Sequence, residues 1–373
     1  MIKEFQIHGL NGNTIPLCLN FNKDINILTG KNGSGKTTVL KVLWYILSGN
    51  IENVINEVVF DHILLSTDKF TIKIEKHDGE EINYLIILND DKPVKISGLS
   101  YKQYIERRII PQKARVDLEK INAIDASISG LHSTIYFPTF RRIEGGYTYS
   151  ESGRFSDSFE YYRERLSTAN HHFITAISTK DIVELLTEQY ANRSEKANNL
   201  HVSLSKIIEE KISEYSKSKS LNIVQNVRFA KAEKVLEEIK QKISAINENR
   251  DEIFKPYSIL TNLIEQIFEH KGIRVTENIT LGDAKEAMFS ETLSAGEKQM
   301  LSFICYNAFY ENSIVFIDEP ELSLHVDWQR ILFPTLLSQS TNNQFVVATH
   351  SPFIYSRYSD KELLLGSDRG DNE

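Results

Sequence analysis

The segment Gly30-Lys31-Asn32-Gly33-Ser34-Gly35-Lys36-Thr37 narrows the possible folds more than any other stretch of this chain. It follows a short apolar run, Ile25-Asn26-Ile27-Leu28-Thr29. It precedes a run with helical spacing (Val39, Leu40, Leu43, Trp44, Leu47) that ends at Gly49. Strand, glycine-rich turn and helix form the context that a phosphate-binding loop needs. The glycines let the backbone wrap so that successive N–H groups point inward at phosphate oxygens, and the following helix adds its positive N-terminal end. Lys36 then offers a positive charge to β- and γ-phosphates, and Thr37 a hydroxyl to Mg²⁺. Gly30, Asn32, Gly33, Ser34, Gly35, Lys36, Thr37 and Thr38 are the candidate ATP contacts, with Lys36 also a candidate catalytic residue.

A second constellation is Ser313-Ile314-Val315-Phe316-Ile317-Asp318-Glu319-Pro320-Glu321. Four β-prone apolar residues predict a buried strand of a parallel sheet, which delivers two carboxylates at its carboxyl end, where ligands of such sheets bind. Asp318 suits Mg²⁺, directly or through a water. Glu319 suits orienting and deprotonating an attacking water. An apolar run ending in Asp-Glu means little by itself and becomes specific beside the phosphate loop. The third piece is Leu293-Ser294-Ala295-Gly296-Glu297-Lys298-Gln299, where Ser294 opens a helix and Glu297 completes the spacing of a capping box. The same piece reads equally as a plain helix cap or as an anion site made by exposed N–H groups at a helix start.

The remainder divides by pattern. Residues 57–97 predict antiparallel strands: Phe70, Ile72 and Ile74 alternate, His77-Asp78-Gly79-Glu80 signals a hairpin, and Ile82, Tyr84 and Ile86 alternate again. Ser133 to Phe137 is a further apolar run, closed by Pro138 and followed by Arg141 and Arg142. A Gly- and Ser-rich stretch after it predicts a mobile loop. From about Ser158 to His270 the pattern is helical. Its stripes, Ile207, Ile208, Ile212 and Tyr215, then Val235, Leu236, Ile239, Ile243 and Ile246, are short, and they predict a compact insertion or a short hairpin and not a long coiled coil. Strand signals resume at Ile273-Arg274-Val275. The expected division is 1–150, 151–272 and 273–373: an α/β fold with a mixed sheet around the phosphate loop, an antiparallel β subdomain and a helical insertion. The longest apolar stretch, Val39 to Leu47, is interrupted by Lys41 and too short for a bilayer. The start alternates like a strand and has no signal-peptide core, and Cys18 and Cys305 are the only cysteines, so the expected compartment is the cytoplasm. A formal net charge of −8 argues against coating nucleic acid through bulk charge, while a local basic patch leaves nucleic acid open as a ligand.

Together Gly30 to Thr38, Leu293 to Gln299, Ile314 to Glu321 and Val346-Val347-Ala348-Thr349-His350-Ser351-Pro352 resemble the motif set of ABC-class ATPases with a P-loop NTPase head. The variants Glu319-Pro320-Glu321-Leu322-Ser323-Leu324-His325 and Ala348 to Pro352 look most like the SMC, RecF and OLD-type branch, while residues 150–270 carry none of these motifs. The resemblance implies Mg²⁺-dependent ATP hydrolysis in a homodimer or higher homo-oligomer joined through its ATP sites. Ser294, Gly296 and Glu297 of one copy would face ATP held by the other, His350 would contact the γ-phosphate, and Ser323 to His325 would link the two sites. Two departures stand out. No glutamine lies between Thr37 and Gln103, so the glutamine that touches Mg²⁺ in relatives is not assigned, and Tyr136 to Arg142 is the candidate for an equivalent lining position. Val326 follows His325 where relatives have proline.

OLD-type proteins carry a nuclease after the ATPase, and this chain ends at Glu373 with no metal-nuclease cluster. Arg165 with His171 or His172 fits a loose ribonuclease spacing that chance often produces. The expectation is a sensor or scaffold of a bacterial anti-phage system, as in Septu, PARIS and retron-associated systems, with a separate effector nuclease. The alternatives are a RecF-like ATPase that binds duplex DNA in repair or maintenance, and a static ATP-bound scaffold.

Overall fold

The structure is a computed structural model that describes residues 1–76, 82–88, 94–98, 122–139, 167–174, 179–218, 225–267 and 293–366. The chain forms two compact units, residues 1–177 with 294–373, and residues 178–293.

Among the described residues the first unit holds two six-stranded sheets. Strands β1 (Ile2–His8), β2 (Leu17–Asn20), β4 (His62–Thr67), β5 (Phe70–Lys76), β6 (Ile82–Leu88) and β7 (Val94–Gly98) form an antiparallel sheet in the order β2-β1-β4-β5-β6-β7. It is thus wider than the predicted 57–97 hairpins, because the first two strands of the chain join its edge. Strands β3 (Ile25–Thr29), β8 (Thr134–Phe137), β9 (His171–Phe173), β10 (Ile314–Asp318), β11 (Gln344–Ala348) and β12 (Glu362–Leu364) form the other sheet, ordered β12-β3-β11-β10-β8-β9. Every pairing in this sheet is parallel, which corrects the mixed sheet expected around the phosphate loop. Strands buried on both faces read as continuous apolar runs, and β3, β8, β10 and β11 are buried throughout.

Helix α1 (Lys36–Leu47) is apolar on nearly every side, since Val42, Tyr45 and Ile46 are buried as well as the predicted stripe. With α2 (Ile51–Glu57) it shares one core cluster with Phe5, Ile63 and Ile72 of the antiparallel sheet and Leu28, Phe316 and Val346 of the parallel one. Trp44 packs on Tyr136 and Phe173, with ring centroids 5.6 and 5.3 Å away. A further short helix, α3, covers 122–129. Gln344 also ties the sheets together: its Oε1 accepts from the Ile2 N–H at 2.7 Å and its Nε2 donates to the Ile2 carbonyl at 2.9 Å.

The second unit is dominated by α4 (Thr179–Ser218, 40 residues) and α5 (Gln225–Ile267, 43 residues), packed as an antiparallel pair. Each is on the order of 60 Å long at the α-helical rise. This corrects the expectation of a short hairpin: the helices run far past the apolar stripes because the intervening Lys, Glu, Gln and Ala are strong helix formers. Along the pair, Tyr257 Oη donates to the Leu186 carbonyl at 2.5 Å, Arg193 to the Ile253 carbonyl at 2.6 Å, and Lys211 meets Glu238 at 2.8 Å. The strand expected at 273–275 and the loop after Arg142 lie outside the described residues.

Candidate active site

Four neighbouring strands of the parallel sheet, β8, β10, β11 and β3, deliver their carboxyl ends to one edge, the ligand-binding edge of such sheets. In that order they present Thr139, Asp318 with Glu319, His350 and the phosphate loop. At Gly30, Gly33 and Gly35 φ is 141°, 81° and 94°, values that side-chain-bearing residues rarely adopt, and the loop depends on glycine there. Gly30 is also confined by space: a Cβ would sit 2.4 Å from the Leu365 carbonyl oxygen.

Lys36 is buried and folds back over its own loop, its Nζ donating to the Gly30 carbonyl at 2.8 Å and to that of Lys31 at 3.2 Å. Burial pulls its pKa below the usual lysine range, against the opposing pull of Glu319, Asp318 and Glu321. One ammonium thus faces three carboxylates, an arrangement that favours a further cation. Thr37 Oγ1 donates to Asp318, 3.0 Å from each carboxylate oxygen. Thr139 Oγ1 donates to Asp318 Oδ2 at 2.5 Å. Burial raises the Asp318 pKa, the two threonine hydrogen bonds lower it, and the neighbouring Glu319 and Glu321 charges raise it further.

Among the described residues no three His, Cys, Asp or Glu side chains are grouped to hold a metal by themselves. Mg²⁺ does not need such a cage, because it characteristically takes one or two carboxylates and completes its shell with water and substrate phosphates. Asp318 and Thr37 fit that mode. Ser34 Oγ, at the centre of the loop, is shielded from solvent and lacks a hydrogen-bond partner among the described residues, as suits a donor aimed at phosphate.

Glu319 has φ 48° and ψ 57°, the left-handed region, and its N–H donates to the Ala348 carbonyl at 2.8 Å. A non-glycine residue held there costs on the order of 1–3 kcal/mol, a strain typical of functional sites. Glu321, whose role the motif alone does not assign, is clamped to the loop after β11: its Oε1 accepts from the His350 N–H at 2.6 Å and its Oε2 from Thr349 Oγ1 at 2.8 Å. Burial raises its pKa and these hydrogen bonds lower it.

Helix α6 (Ala295–Phe309) opens with the predicted capping box: Ser294 Oγ accepts from the Glu297 N–H at 3.3 Å, and the Ser294 N–H donates to Glu297 Oε2 at 2.6 Å. The Glu297 carboxylate therefore serves the cap. Gly296 lies against the loop before α7 (Val326–Ser338), where a Cβ would come within 2.4 Å of the Ser323 carbonyl oxygen. Gln329 of α7 continues the contact, donating to the Leu324 carbonyl at 2.7 Å and accepting from Ser351 Oγ at 2.5 Å. The helix start at Ser294, the Ser323–His325 loop and the His350 loop are thus joined by contact.

His171 is structural. Its Nδ1 meets Thr134 Oγ1 of β8 and its Nε2 the Ser129 carbonyl at the end of α3, each at 2.8 Å, so both ring nitrogens are engaged. His172 is largely buried, with its pKa lowered to about 4 by burial and by His171, and its ring packs 4.4 Å from that of Tyr310. Arg165, Arg141 and Arg142 lie outside the described residues.

The sequence profile described as AAA ATPase domain matches residues 16–355. The chain is similar to the Retron Vc95 probable ATPase of Vibrio cholerae serotype O1 biovar El Tor, 22% identical over 92% of this chain and 69% of that protein. It is also similar to Endonuclease GajA of Bacillus cereus (strain VD045), 35% identical over 21% of this chain and 15% of that protein. Among solved structures, the Smc head domain with an extended coiled coil from Pyrococcus furiosus aligns with a TM-score of 0.36 at 14% identity, covering 95% of this chain and 91% of that one.

Proposed function

The chain belongs to the AAA ATPase domain family, and from that premise we propose that it is the nucleotide-driven sensor or scaffold of a bacterial anti-phage system that works with a separate effector. The observation that supports the enzymatic part most is the convergence of Lys36, Thr37 and Asp318 through direct hydrogen bonds and carboxylate–ammonium attraction at one sheet edge. The similarity to a retron ATPase supports the biological part.

In this reading the loop N–H groups and Lys36 bind the ATP phosphates, and Thr37 with Asp318 would hold Mg²⁺. The ion supplies charge neutralisation on the phosphates. Glu319, on its strained turn, orients and deprotonates the attacking water, and His350 contacts the γ-phosphate and helps position that water. The α6 N-terminus, with Ser294 and Gly296, offers donors to the γ-phosphate bound by a second copy. ATP then joins copies and hydrolysis releases them. No helix of the described residues is long and apolar enough to cross a membrane.

The test is Glu319→Gln in the full chain. Loss of a general base lowers a rate about 10²–10⁴-fold, so ATP turnover should fall by at least about 100-fold while an ATP-bound oligomer accumulates in mass photometry. Equal turnover in the variant would remove Glu319 from the mechanism, and unchanged assembly would favour a static scaffold. A lone monomer whose hydrolysis is stimulated by duplex DNA would overturn the defence-scaffold reading.

A further inference from the structure

We infer that Thr139 is a positioning residue of the metal site, fixing the Asp318 carboxylate from the outside. The inference rests on reading the edge of the parallel sheet as a Mg²⁺–ATP site. It goes further by assigning a role to a residue two positions beyond β8.

The distances separate the two threonines. Magnesium binds oxygen at about 2.0–2.1 Å with octahedral geometry, so two neighbouring ligand oxygens stand roughly 3 Å apart. Thr37 Oγ1 lies 3.0 Å from each Asp318 oxygen, the spacing of two oxygens on one ion. Thr139 Oγ1 lies 2.5 Å from Asp318 Oδ2, too close for that arrangement and matched to a hydroxyl hydrogen bond onto a charged oxygen. Thr37 therefore belongs beside the ion and Thr139 behind the carboxylate.

The backbone explains why Thr139 arrives there. Strand β8 runs parallel to β10 with Phe137 opposite Ile317, so the ladder brings the residues after Phe137 alongside Asp318. Pro138 has no N–H to extend the ladder, and it holds Phe137 in extended geometry. The chain leaves the sheet at Pro138, and Thr139 is the first side chain past that point with a hydroxyl. Phe137 anchors the strand end against α6, edge-on to Phe303 at 4.8 Å and to Tyr306 at 5.6 Å between ring centroids. The hydroxyl thus stands on a packed strand end, as an orienting group must.

Loss of such an outer-shell partner typically lowers metal affinity 10–100-fold. The test titrates Mg²⁺ into the full chain mixed with a fluorescent ATP analogue. In Thr139→Val the Mg²⁺ half-saturation should rise by about 10-fold or more, analogue binding in EDTA should equal that of the unsubstituted chain, and Thr139→Ser should restore the half-saturation. Circular dichroism checks folding, and Thr139→Ala replaces the valine variant if that one does not fold. Unchanged half-saturation in the folded Val or Ala variant overturns the inference, as does failure of Ser to restore it. If the unsubstituted chain binds no analogue in either condition, the ATP-site reading itself falls, a distinct result.

Discussion

Replacing Glu321 tests how the loop that carries His350 is held. The carboxylate accepts two hydrogen bonds, from the His350 N–H at 2.6 Å and from Thr349 Oγ1 at 2.8 Å. Hydrogen bonds to a charged group contribute about 1.5–3 kcal/mol each. Glu321→Ala removes both and strands the hydroxyl of fully buried Thr349 along with the His350 N–H. Working the other way, truncation also removes a buried charge. Burial has raised the Glu321 pKa despite its hydrogen bonds, so relief of desolvation offsets part of the loss. The expected net destabilisation is about 2–4 kcal/mol. Glu321→Gln keeps an acceptor for His350, loses the bond from Thr349 Oγ1 (whose oxygen already receives the Ser351 N–H at 3.0 Å) and removes the charge, so it should stay within about 1 kcal/mol of the unsubstituted chain. Urea unfolding followed by tryptophan fluorescence measures this, because both tryptophans, Trp44 and Trp328, lie in the ATPase unit. The sign with pH follows from the raised pKa. The native state holds a proton that the unfolded chain has lost, so this group's contribution falls as pH climbs from the ordinary value of 4.5 to the native one, and the Gln variant lacks that slope. An Ala variant within about 0.5 kcal/mol of the unsubstituted chain, half of one ordinary hydrogen bond, would refute the clamp.

Gly296→Ala sets two effects against each other: alanine favours a helix by about 1 kcal/mol, whereas overpacking costs about 1–3 kcal/mol. With a Cβ 2.4 Å from the Ser323 carbonyl the clash should win, giving a small loss of urea stability, ATP turnover cut by more than about 10-fold (1.4 kcal/mol) and ATP binding retained. A variant equally stable and active would mean that the α6 contact with the Ser323 loop does not matter. Asp125 on α3 is pushed from 3.8 to about 7 by burial and by the charge of Glu52. Its native state keeps a proton that the unfolded chain loses between those values, so stability should fall as pH rises through that window, by about 4 kcal/mol in all. Asp125→Asn should flatten the difference between urea midpoints at pH 5 and pH 8, and parallel pH profiles for the two proteins would refute the assignment.

What could be read from sequence, and what could not, follows from how each side chain is placed. Gly30 to Thr37 and Asp318 sit where a short strand meets a turn, so residue type and order along the chain suffice to put them at one sheet edge. The capping box at Ser294 and Glu297 is local for the same reason. Strand direction is different: an apolar run of five residues is the same string in a parallel or a mixed sheet, and only partners outside the run decide between them, as with Val315 beside Phe345 and Ile135. The roles of Thr139 and Glu321 depend on that register. Thr139 is 179 residues from the carboxylate it touches, and Glu321 is 29 from the backbone N–H it accepts. The one local hint for Thr139 was a hydroxyl just past a proline that ends an apolar run. The length of α4 and α5 escaped for the opposite reason. Their outer halves bury little, leaving Leu236 and Ile212 more than half exposed, so no deep apolar stripe marks residues that helix propensity and pairing between the two helices still keep helical. Spacing alone says nothing of availability: Arg165 with His171 or His172 fits a loose ribonuclease pattern, yet both nitrogens of His171 are engaged, by Thr134 of β8 and by the Ser129 carbonyl of α3. A spacing rule presumes a free functional group, and only three-dimensional hydrogen-bond partners tell whether one exists.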